Sequence, residues 1–240
     1  MATFVLVHGA WHGGWCWDEV VPRLTARGHI VEAPDLPGMG RDKTPLGKVD
    51  LSKWTLFVSD IVMQAFEPVV LVGHSRGGIV ISEVAQLVPD RISTLAYLAA
   101  FLAPEGKTLS DMLAMSPGRE VARDTIVPAA DGIACTIRPE KVVPVFYNTT
   151  PPALAARAAG LVGPEPLMSF GTPVRTTAER YGRVKRAYIE CLQDNAIPIE
   201  LQRLMRDALP CDPVVTLDCD HSPFFSMPDA LCDALIKLAN

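Results

Sequence analysis

The sequence predicts an α/β fold in which helices cover both faces of a mostly parallel sheet and a helical cap is inserted into this core. At both ends of the chain, short apolar runs alternate with segments of helical periodicity, which is typical of a parallel sheet. The alternation stops between residues 101 and 183, where prolines are frequent. The chain has 240 residues, 49% of them hydrophobic and 20% charged, which is enough for one domain with an insertion.

The core is predicted to comprise residues 1–100 and 184–240. Apolar runs in these segments have the length of buried strands, and most intervening stretches carry apolar residues three and four positions apart. Gly28 is suited to end the first helical stretch. Strands are predicted at 3–8, 29–33, 69–74, 92–99, 184–191 and 213–218, and helices near 16–27, 52–66, 77–88, 198–208 and 227–239.

Residues 101–183 are predicted to form the helical cap. This interval contains the apolar segments "SDMLAM" and "VVPVFYN" and the alanine-rich segment "PPALAARAAGL", which we expect to be helical. Its prolines interrupt any long strand or helix. The predicted cap therefore consists of short elements between the fourth and fifth strands of the core.

The composition favours a small molecule as the binding partner. The formal net charge is −5, so we expect no basic face for nucleic acid or anionic lipid. No segment reaches the roughly 18 apolar residues that span a bilayer. The chain passes from Met1 directly into the apolar run "TFVLVHG" without a basic region or cleavage site, so we expect a cytoplasmic protein.

The six cysteines are expected to be mostly buried free thiols. No C-x-x-C pair is present, and a chain of this size needs no disulfide staples. A metal site built from Asp218, Cys219, Asp220 and His221 is conceivable, but this spacing matches no recognised ligand set. We therefore expect neither a metal ion nor a cofactor.

The stretch "LVGHSRGG" at 71–78 places Ser75 between a predicted strand and a predicted helix. Gly73 and Gly77 complete a G-x-S-x-G pattern, and because glycine has no Cβ, the chain can turn sharply there. Such a nucleophile elbow exposes the serine hydroxyl above the sheet edge and directs a helix N-terminus at the group it attacks. An ordinary turn with a helix-capping serine is the alternative.

A serine nucleophile needs a base, and a third group must hold that base in one tautomer. In proteins with this elbow the chain order is serine, acid, histidine. Of the five histidines, only His221 follows the last predicted strand, at a strand end where open α/β sheets collect functional groups. We therefore predict that His221 is the base for Ser75.

The acid is expected in the loop after the preceding strand, where "CLQDNAIP" contains Asp194. Asp194 also precedes a predicted helix, so hydrogen bonds to the local backbone are its alternative role. Asp218 and Asp220 are nearer to His221 in sequence, but close neighbours in an extended segment rarely face one another. Asp35 follows the second strand, which is the wrong one. Asp194 is therefore the predicted acid.

The oxyanion hole is expected from two backbone amides, that of Arg76 after the nucleophile and that of Ala10 in "HGAWHGGW". Arg76 would act through its amide, and nothing in the sequence supports a role for its guanidinium in substrate binding. Trp15 and Trp17 are expected in the core, whereas Trp11 is a candidate for the pocket wall.

Four stretches carry a resemblance to a known family: "FVLVHGAWHGGWCW", "GHSRGG", "ERYGRVKRAYIECLQDNAIPIELQRLM" and "DCDHSPFFSMPDAL". The sequence resembles an α/β-hydrolase, and more narrowly the plant methylesterases, salicylate-binding esterases and hydroxynitrile lyases with their bacterial esterase relatives. The match covers both ends of the core and is loose in the cap. The resemblance implies the α/β-hydrolase fold, the triad Ser75, Asp194 and His221, and an oxyanion hole at Ala10 and Arg76.

Two positions separate branches of this family. The pattern of the lyase branch has threonine after the first-strand histidine and lysine after the catalytic histidine. This chain has Gly9 and Ser222 at those positions, so the resemblance favours ester hydrolysis. The plant esterases usually carry leucine after the nucleophile, whereas Arg76 here fits a bacterial relative.

We therefore expect a serine hydrolase that cleaves a carboxylic ester of a small apolar or aromatic molecule through an acyl-enzyme, with carbamates and amides as further options. The pocket is expected between cap and core, lined by Trp11, Met112, Phe146, Met168 and Phe170. The alternatives are a hydroxynitrile lyase, another cofactor-free reaction of this fold, or a ligand receptor with a slow triad. A homodimer is compatible with the sequence.

Overall fold

A computed structural model describes residues 1–116 and 124–239. The strands of the described residues are β1 (Thr3–Val7), β2 (Ile30–Glu32), β3 (Val69–His74), β4 (Ile92–Leu98), β5 (Ile126–Pro128), β6 (Ala134–Ile137), β7 (Glu165–Pro166), β8 (Arg186–Cys191) and β9 (Val214–Leu217). Six of them form a central sheet in the order β2-β1-β3-β4-β8-β9, in which all neighbours are parallel. This arrangement confirms the predicted fold class.

Helices lie on both faces of the sheet because successive strand side chains point to opposite sides. On β1, Phe4 and Leu6 belong to one buried apolar cluster, and Val5 and Val7 belong to the other. The α-helices are α1 (Val21–Ala26), α2 (Leu51–Gln64), α3 (Gly77–Leu87), α4 (Leu109–Ala114), α5 (Pro139–Phe146), α6 (Pro152–Ala159), α7 (Met168–Gly171), α8 (Ile199–Ala208), α9 (Pro223–Ser226) and α10 (Pro228–Leu238).

Different helices pack against the two faces of the central sheet. Helices α1, α9 and α10 contribute to the cluster that contains Phe4, and α2, α3 and α8 contribute to the cluster that contains Val5. The predicted helix at 16–27 is divided into a 3-10 turn at Gly14–Trp17 and α1. Pro22 explains this division, because proline lacks an amide hydrogen and is favoured in the first turn of a helix.

The cap differs from the purely helical one that the sequence predicts. It contains α4 to α7, but also a small antiparallel sheet in the order β5-β6-β7. The strands have only two to four residues, too few to show a period of two. A turn with Gly132 at φ +67° connects β5 to β6. Part of the predicted cap, 117–123, lies outside the described residues, and the cap boundaries stay a prediction.

The topology places the predicted site at one edge of the sheet. Ser75 follows β3, Asp194 lies in the loop after β8, and His221 lies in the loop after β9. Because these strands are parallel, their carboxyl ends meet at the same edge. Within the described residues, no helix has the length and apolar character needed to span a bilayer. The six cysteines are free thiols, and all except the partly exposed Cys211 are buried.

Candidate active site

Ser75 occupies a sharp turn between β3 and α3. Its φ angle is +54°, a left-handed conformation that is strained for a residue with a side chain. The turn requires glycine on both sides: a Cβ at Gly73 would lie 2.7 Å from the carbonyl oxygen of Gly77, and a Cβ at Gly77 would lie 2.7 Å from that of Val7. The local geometry is therefore that of the nucleophile elbow, and Ser75 borders a cavity.

The buried carboxylate of Asp194 binds the imidazole of His221. The distance from Nδ1 of His221 to Oδ2 of Asp194 is 2.7 Å. Oδ1 of Asp194 accepts hydrogen bonds from the amides of Ala196 at 2.7 Å and Ile197 at 2.8 Å. Asp194 thus makes hydrogen bonds to the local backbone and also contacts the predicted base. Because a carboxylate oxygen only accepts hydrogen bonds, Nδ1 of His221 is the donor in this pair, which leaves Nε2 free to accept a proton.

Gln202 is a buried residue of this site that sequence reasoning missed. Its Nε2 atom lies 3.2 Å from Oδ2 of Asp194 and 2.7 Å from the carbonyl oxygen of Ile197. Its Oε1 atom accepts a hydrogen bond from the amide of Cys191 at 3.2 Å. Gln202 thus connects the end of β8 to the acid. The available signal was a polar residue beside Leu201 on the buried face of an amphipathic helix.

His74 holds the backbone of His221 beside the elbow. Its Nε2 atom donates a hydrogen bond to the carbonyl oxygen of His221 at 2.8 Å, and the two ring centroids are 4.5 Å apart. Burial, followed by the charge of the nearby His221, lowers the pKa of His74 well below its usual value. Because His74 immediately precedes Ser75, this contact links the loop of the predicted base to the elbow of the predicted nucleophile.

The carboxylates that flank His221 in sequence have other partners. Asp218 is exposed and accepts a hydrogen bond from Gln193 at 2.9 Å. Asp220 is buried and accepts four hydrogen bonds, two from the predicted cap and two from the segment that follows it in the chain. No cluster of three or more His, Cys, Asp or Glu side chains suited to a metal ion is found in the described part of the chain. The donors to Asp220 are the amides of Thr149 and Ser222 and the hydroxyls of Thr150 and Ser226.

Two buried, neutral histidines support the loop after β1. His12 donates a hydrogen bond from Nδ1 to the carbonyl oxygen of Ala10 at 2.7 Å, and its Nε2 accepts one from the hydroxyl of Tyr147 at 2.7 Å. Nδ1 of His8 donates to the carbonyl oxygen of Gly9 at 2.9 Å. Burial lowers the pKa of His8 to about 3 and that of His12 to about 4. Both rings therefore act as fixed hydrogen-bonding groups.

The side chain of Arg76 forms an ion pair inside the protein, which the sequence did not predict. Its Nε atom lies 3.0 Å from Oε1 of Glu165, a residue of β7 in the cap. Both side chains are buried. Burial lowers the pKa of Arg76 and raises that of Glu165, and the opposite charge of the partner opposes each shift. The guanidinium is thus part of the interface between core and cap.

An apolar cavity of about 780 Å³, including its open mouth, borders Ser75. It is lined by the predicted Trp11, Phe146 and Phe170, and by Ala10 and Arg76, the predicted sources of the oxyanion-hole amides. The predicted Met112 and Met168 are not among its lining residues. Successive helix residues point about 100° apart, so α4 and α7 each present only one face to the cavity. The remaining lining residues are Phe101, Leu109, Leu113, Ser116, Thr125, Ile126, Ile137, Val145, Asn195, Ala196, Ile197 and Pro198.

Met112 instead belongs to the buried core, and Trp15 and Trp17 lie in the opposite core cluster, as predicted. From α4 the cavity receives Leu109 and Leu113, and from α7 it receives Phe170. The sequence predicted which cap segments face the cavity better than it predicted the individual side chains.

A family model described as the alpha/beta hydrolase family matches residues 4–234. The chain belongs to this family. A pyrethroid hydrolase from Sphingobium wenxiniae is 37% identical in an alignment that covers 100% of this chain and 88% of that protein. Methylesterase 7 from Arabidopsis thaliana is 33% identical, with 99% of this chain and 96% of that protein covered.

The solved structures agree with this assignment to the α/β hydrolases. The crystal structure of a pyrethroid hydrolase from Sphingobium faniae matches with a TM-score of 0.89 and 36% identity, covering 99% of this chain and 97% of that one. These similarities confirm the resemblance to plant methylesterases and bacterial relatives. They support a hydrolase of the esterase type.

Proposed function

We propose that this α/β hydrolase is a serine esterase that cleaves carboxylic esters of small apolar or aromatic molecules through an acyl-enzyme. The observation that carries the proposal is the position of Ser75, strained at an elbow that borders an apolar cavity, together with a buried Asp194–His221 pair whose backbone is hydrogen-bonded to His74, the residue before Ser75. A solvent-facing turn would need neither the strained conformation nor the buried pair.

In the first step, Oγ of Ser75 attacks the ester carbonyl carbon. Nε2 of His221 takes the serine proton, and Asp194 stabilises the imidazolium through its 2.7 Å hydrogen bond to Nδ1. The π electron pair moves to the carbonyl oxygen, which the backbone amides of Ala10 and Arg76 bind as it becomes negative. When the carbonyl re-forms, the bond to the alcohol breaks and His221 protonates the leaving oxygen.

In the second step, water attacks the acyl-enzyme by the same route. His221 accepts a proton from the water, and the same two amides bind the oxygen of the tetrahedral intermediate. The bond between the acyl carbon and Oγ of Ser75 then breaks, and His221 returns the proton to Oγ. The products are a carboxylic acid and a free serine hydroxyl. Apart from water, the cycle uses only groups of the chain itself, so it requires no cofactor or metal ion.

The cavity favours apolar acyl or alcohol groups. Trp11, Phe146 and Phe170 present aromatic surface to it, and the wall from α4 is aliphatic. Such a lining gains free energy from the apolar area that a ligand buries, at about 25 cal/mol per Å². The similarity to a pyrethroid hydrolase and to a methylesterase supports an ester as the substrate. Carbamates and amides of similar shape are further candidates.

The test is a burst assay with p-nitrophenyl esters of increasing acyl length on the parent protein, on Ser75→Ala and on Ser93→Ala. Ser93 is an exposed serine of β4 and serves as the matched control. We expect Ser75→Ala to lower kcat by about 10⁶-fold and to abolish the burst, because this is the typical cost of losing a serine nucleophile. We expect Ser93→Ala to retain both. A kcat of Ser75→Ala within about tenfold of the parent would contradict the mechanism.

A further inference from the structure

The guanidinium of Arg76 has three neighbours that are far from it in sequence. Nε donates to Glu165 at 3.0 Å, Nη2 donates to the carbonyl oxygen of Gly9 at 3.1 Å, and the guanidinium carbon lies 4.0 Å from the ring centroid of Trp54. Its side chain is only 1% exposed. A buried charge costs free energy unless it is paired and hydrogen-bonded, so these partners are required for Arg76 to be tolerated here.

Glu165 joins this guanidinium to the loop after β1. Its Oε1 atom accepts hydrogen bonds from Arg76 and from the hydroxyl of Ser169 at 2.9 Å. Its Oε2 atom accepts a hydrogen bond from the backbone amide of Trp11 at 3.1 Å. One carboxylate of the cap thus connects the elbow, the loop that carries Ala10, and the cap itself.

These contacts hold the peptide units on both sides of Ala10. The carbonyl of Gly9 accepts hydrogen bonds from Nη2 of Arg76 and from Nδ1 of His8, and because a peptide unit is planar and trans, these contacts also set the direction of the Ala10 N–H. The next amide, that of Trp11, is bound by Glu165. Trp11 has a φ of +60°, and such strain persists only where the surrounding contacts overdetermine it.

We propose that Arg76 and Glu165 are positioning residues that hold the two oxyanion-hole amides in the geometry of the transition state. The inference rests on the proposed ester hydrolysis. The backbone of Arg76 supplies one amide, its side chain holds the peptide that supplies the other, and Glu165 holds that side chain and the following amide. The pair acts through amides that bind the oxygen as it becomes negative, so it affects the transition state more than the bound substrate.

The test compares the parent protein with Glu165→Gln, with the double variant Arg76→Met/Glu165→Gln and with Glu190→Gln. Glutamine keeps the shape of glutamate and removes its charge. The double variant leaves no unpaired buried charge, so it protects the test against misfolding of the single variant. Glu190 is the matched control because it is also buried and paired with arginines, yet its partners Arg203 and Arg206 belong to α8 and not to the elbow or the loop after β1.

Each variant is assayed for kcat and KM on one p-nitrophenyl ester, for inhibition by a trifluoromethyl ketone of matched shape, and for thermal unfolding. In the ketone adduct, Oγ of Ser75 bonds to the carbonyl carbon, the serine proton passes to His221, and the π electron pair moves to the oxygen. The resulting alkoxide occupies the oxyanion hole. Its inhibition constant therefore reports on the hole, whereas KM reports mainly on the apolar pocket.

We expect kcat of both Glu165 variants to fall by at least about tenfold, and by no more than the roughly 10²–10³-fold that is typical of losing one oxyanion donor. KM should change by less than about threefold. The inhibition constant should rise by the factor by which kcat/KM falls. Glu190→Gln should retain the parent kcat. Parent-like kcat in the folded double variant overturns the inference, as does a lower kcat with unchanged inhibition, or unfolding of both variants. A parent without ester turnover overturns the proposed function instead.

Discussion

The carboxylate of Asp194 determines which nitrogen of His221 carries the proton. Its Oδ1 accepts two backbone amides, and its Oδ2 faces Gln202 and His221. In Asp194→Asn, the side-chain carbonyl would keep the backbone contacts and the NH₂ group would face Nδ1 of His221. Nδ1 would then have to accept, which moves the proton to Nε2, the atom that must receive the serine proton. We expect kcat to fall about 10⁴-fold with the fold retained.

This prediction is checked by kcat and circular dichroism, with Asp218→Asn as the control. Asp218 is exposed, hydrogen-bonds Gln193 and is close to His221 only in sequence. Asp218→Asn should therefore keep the parent kcat. An equal loss in the two variants, or a loss below about tenfold in Asp194→Asn, would assign the role of the acid to another residue.

At the scale of single residues, the sequence predicts a candidate site residue where a side chain suited to catalysis occurs at a recognisable position, such as a turn flanked by glycines or the end of a strand. Ser75 could be found because glycines flank it, and His221 because it follows the last strand. Glu165 and Gln202 could not be found in this way. Each is a polar residue whose partners lie elsewhere in the chain, so its role depends on tertiary contacts that no local pattern encodes.

The loop after β1 is packed against the elbow so closely that it has no space for a side chain at Gly9. A Cβ there would lie 2.7 Å from Cβ of Ser75 and 3.0 Å from Nδ1 of His74. We expect Gly9→Ala to displace the serine or the loop that carries Ala10, because either element must shift to remove the contact. A misplacement of about 1 Å can cost about 10²-fold in rate, so we expect kcat to fall by about 10- to 100-fold.

The measurement is kcat on the ester used for the parent, with Gly182→Ala as the matched control. Gly182 is exposed, and a Cβ there would be 3.6 Å from Cβ of Ala178, an ordinary contact. The control should have the parent activity. If Gly9→Ala melted at the parent temperature and also kept the parent kcat, the close packing between loop and elbow would have no influence on catalysis.

At the scale of elements, the core could be predicted and the cap only in part. The core strands are buried on both faces and therefore read as continuous apolar runs, as in β3. The cap strands are short and pair with distant residues, as β6 does with β7 across the segment that contains α5 and α6. Local patterns cannot encode such pairing, which is why the small sheet was missed.

At the scale of the whole molecule, the cap is joined to the core by buried polar contacts close to the site. Glu165 contacts Arg76, and Tyr147 donates a hydrogen bond to His12 at 2.7 Å. Thr150 donates to Asp220 at 2.8 Å. Such contacts are direction-dependent and lose free energy when one partner is displaced, at about 1–3 kcal/mol for a buried group left unpaired. The cap is therefore held in one orientation over Ser75.

Three histidines of the core are buried and neutral, and this property makes the stability of the molecule depend on pH. Burial lowers the pKa of His8 to about 3, lowers that of His12 to about 4, and lowers that of His74 well below its usual value. In the unfolded chain each has an ordinary pKa near 6.5. Below about pH 6.5 the unfolded chain therefore binds more protons than the folded protein, so the free energy of unfolding falls as the pH falls.

His12→Gln tests this dependence. Each buried histidine contributes a slope of up to about 1.4 kcal/mol per pH unit between its folded and unfolded pKa values. We expect the free energy of unfolding, measured by urea denaturation, to fall less steeply in the variant than in the parent between about pH 6 and pH 5, by up to this amount. Carboxyl groups contribute to both proteins and cancel in the comparison. Above about pH 7.5 the two slopes should be equal, because His12 is neutral in both states there. Equal slopes between about pH 6 and pH 5 would show that His12 takes up its proton without unfolding and that the hydrogen bond from Tyr147 does not keep it neutral.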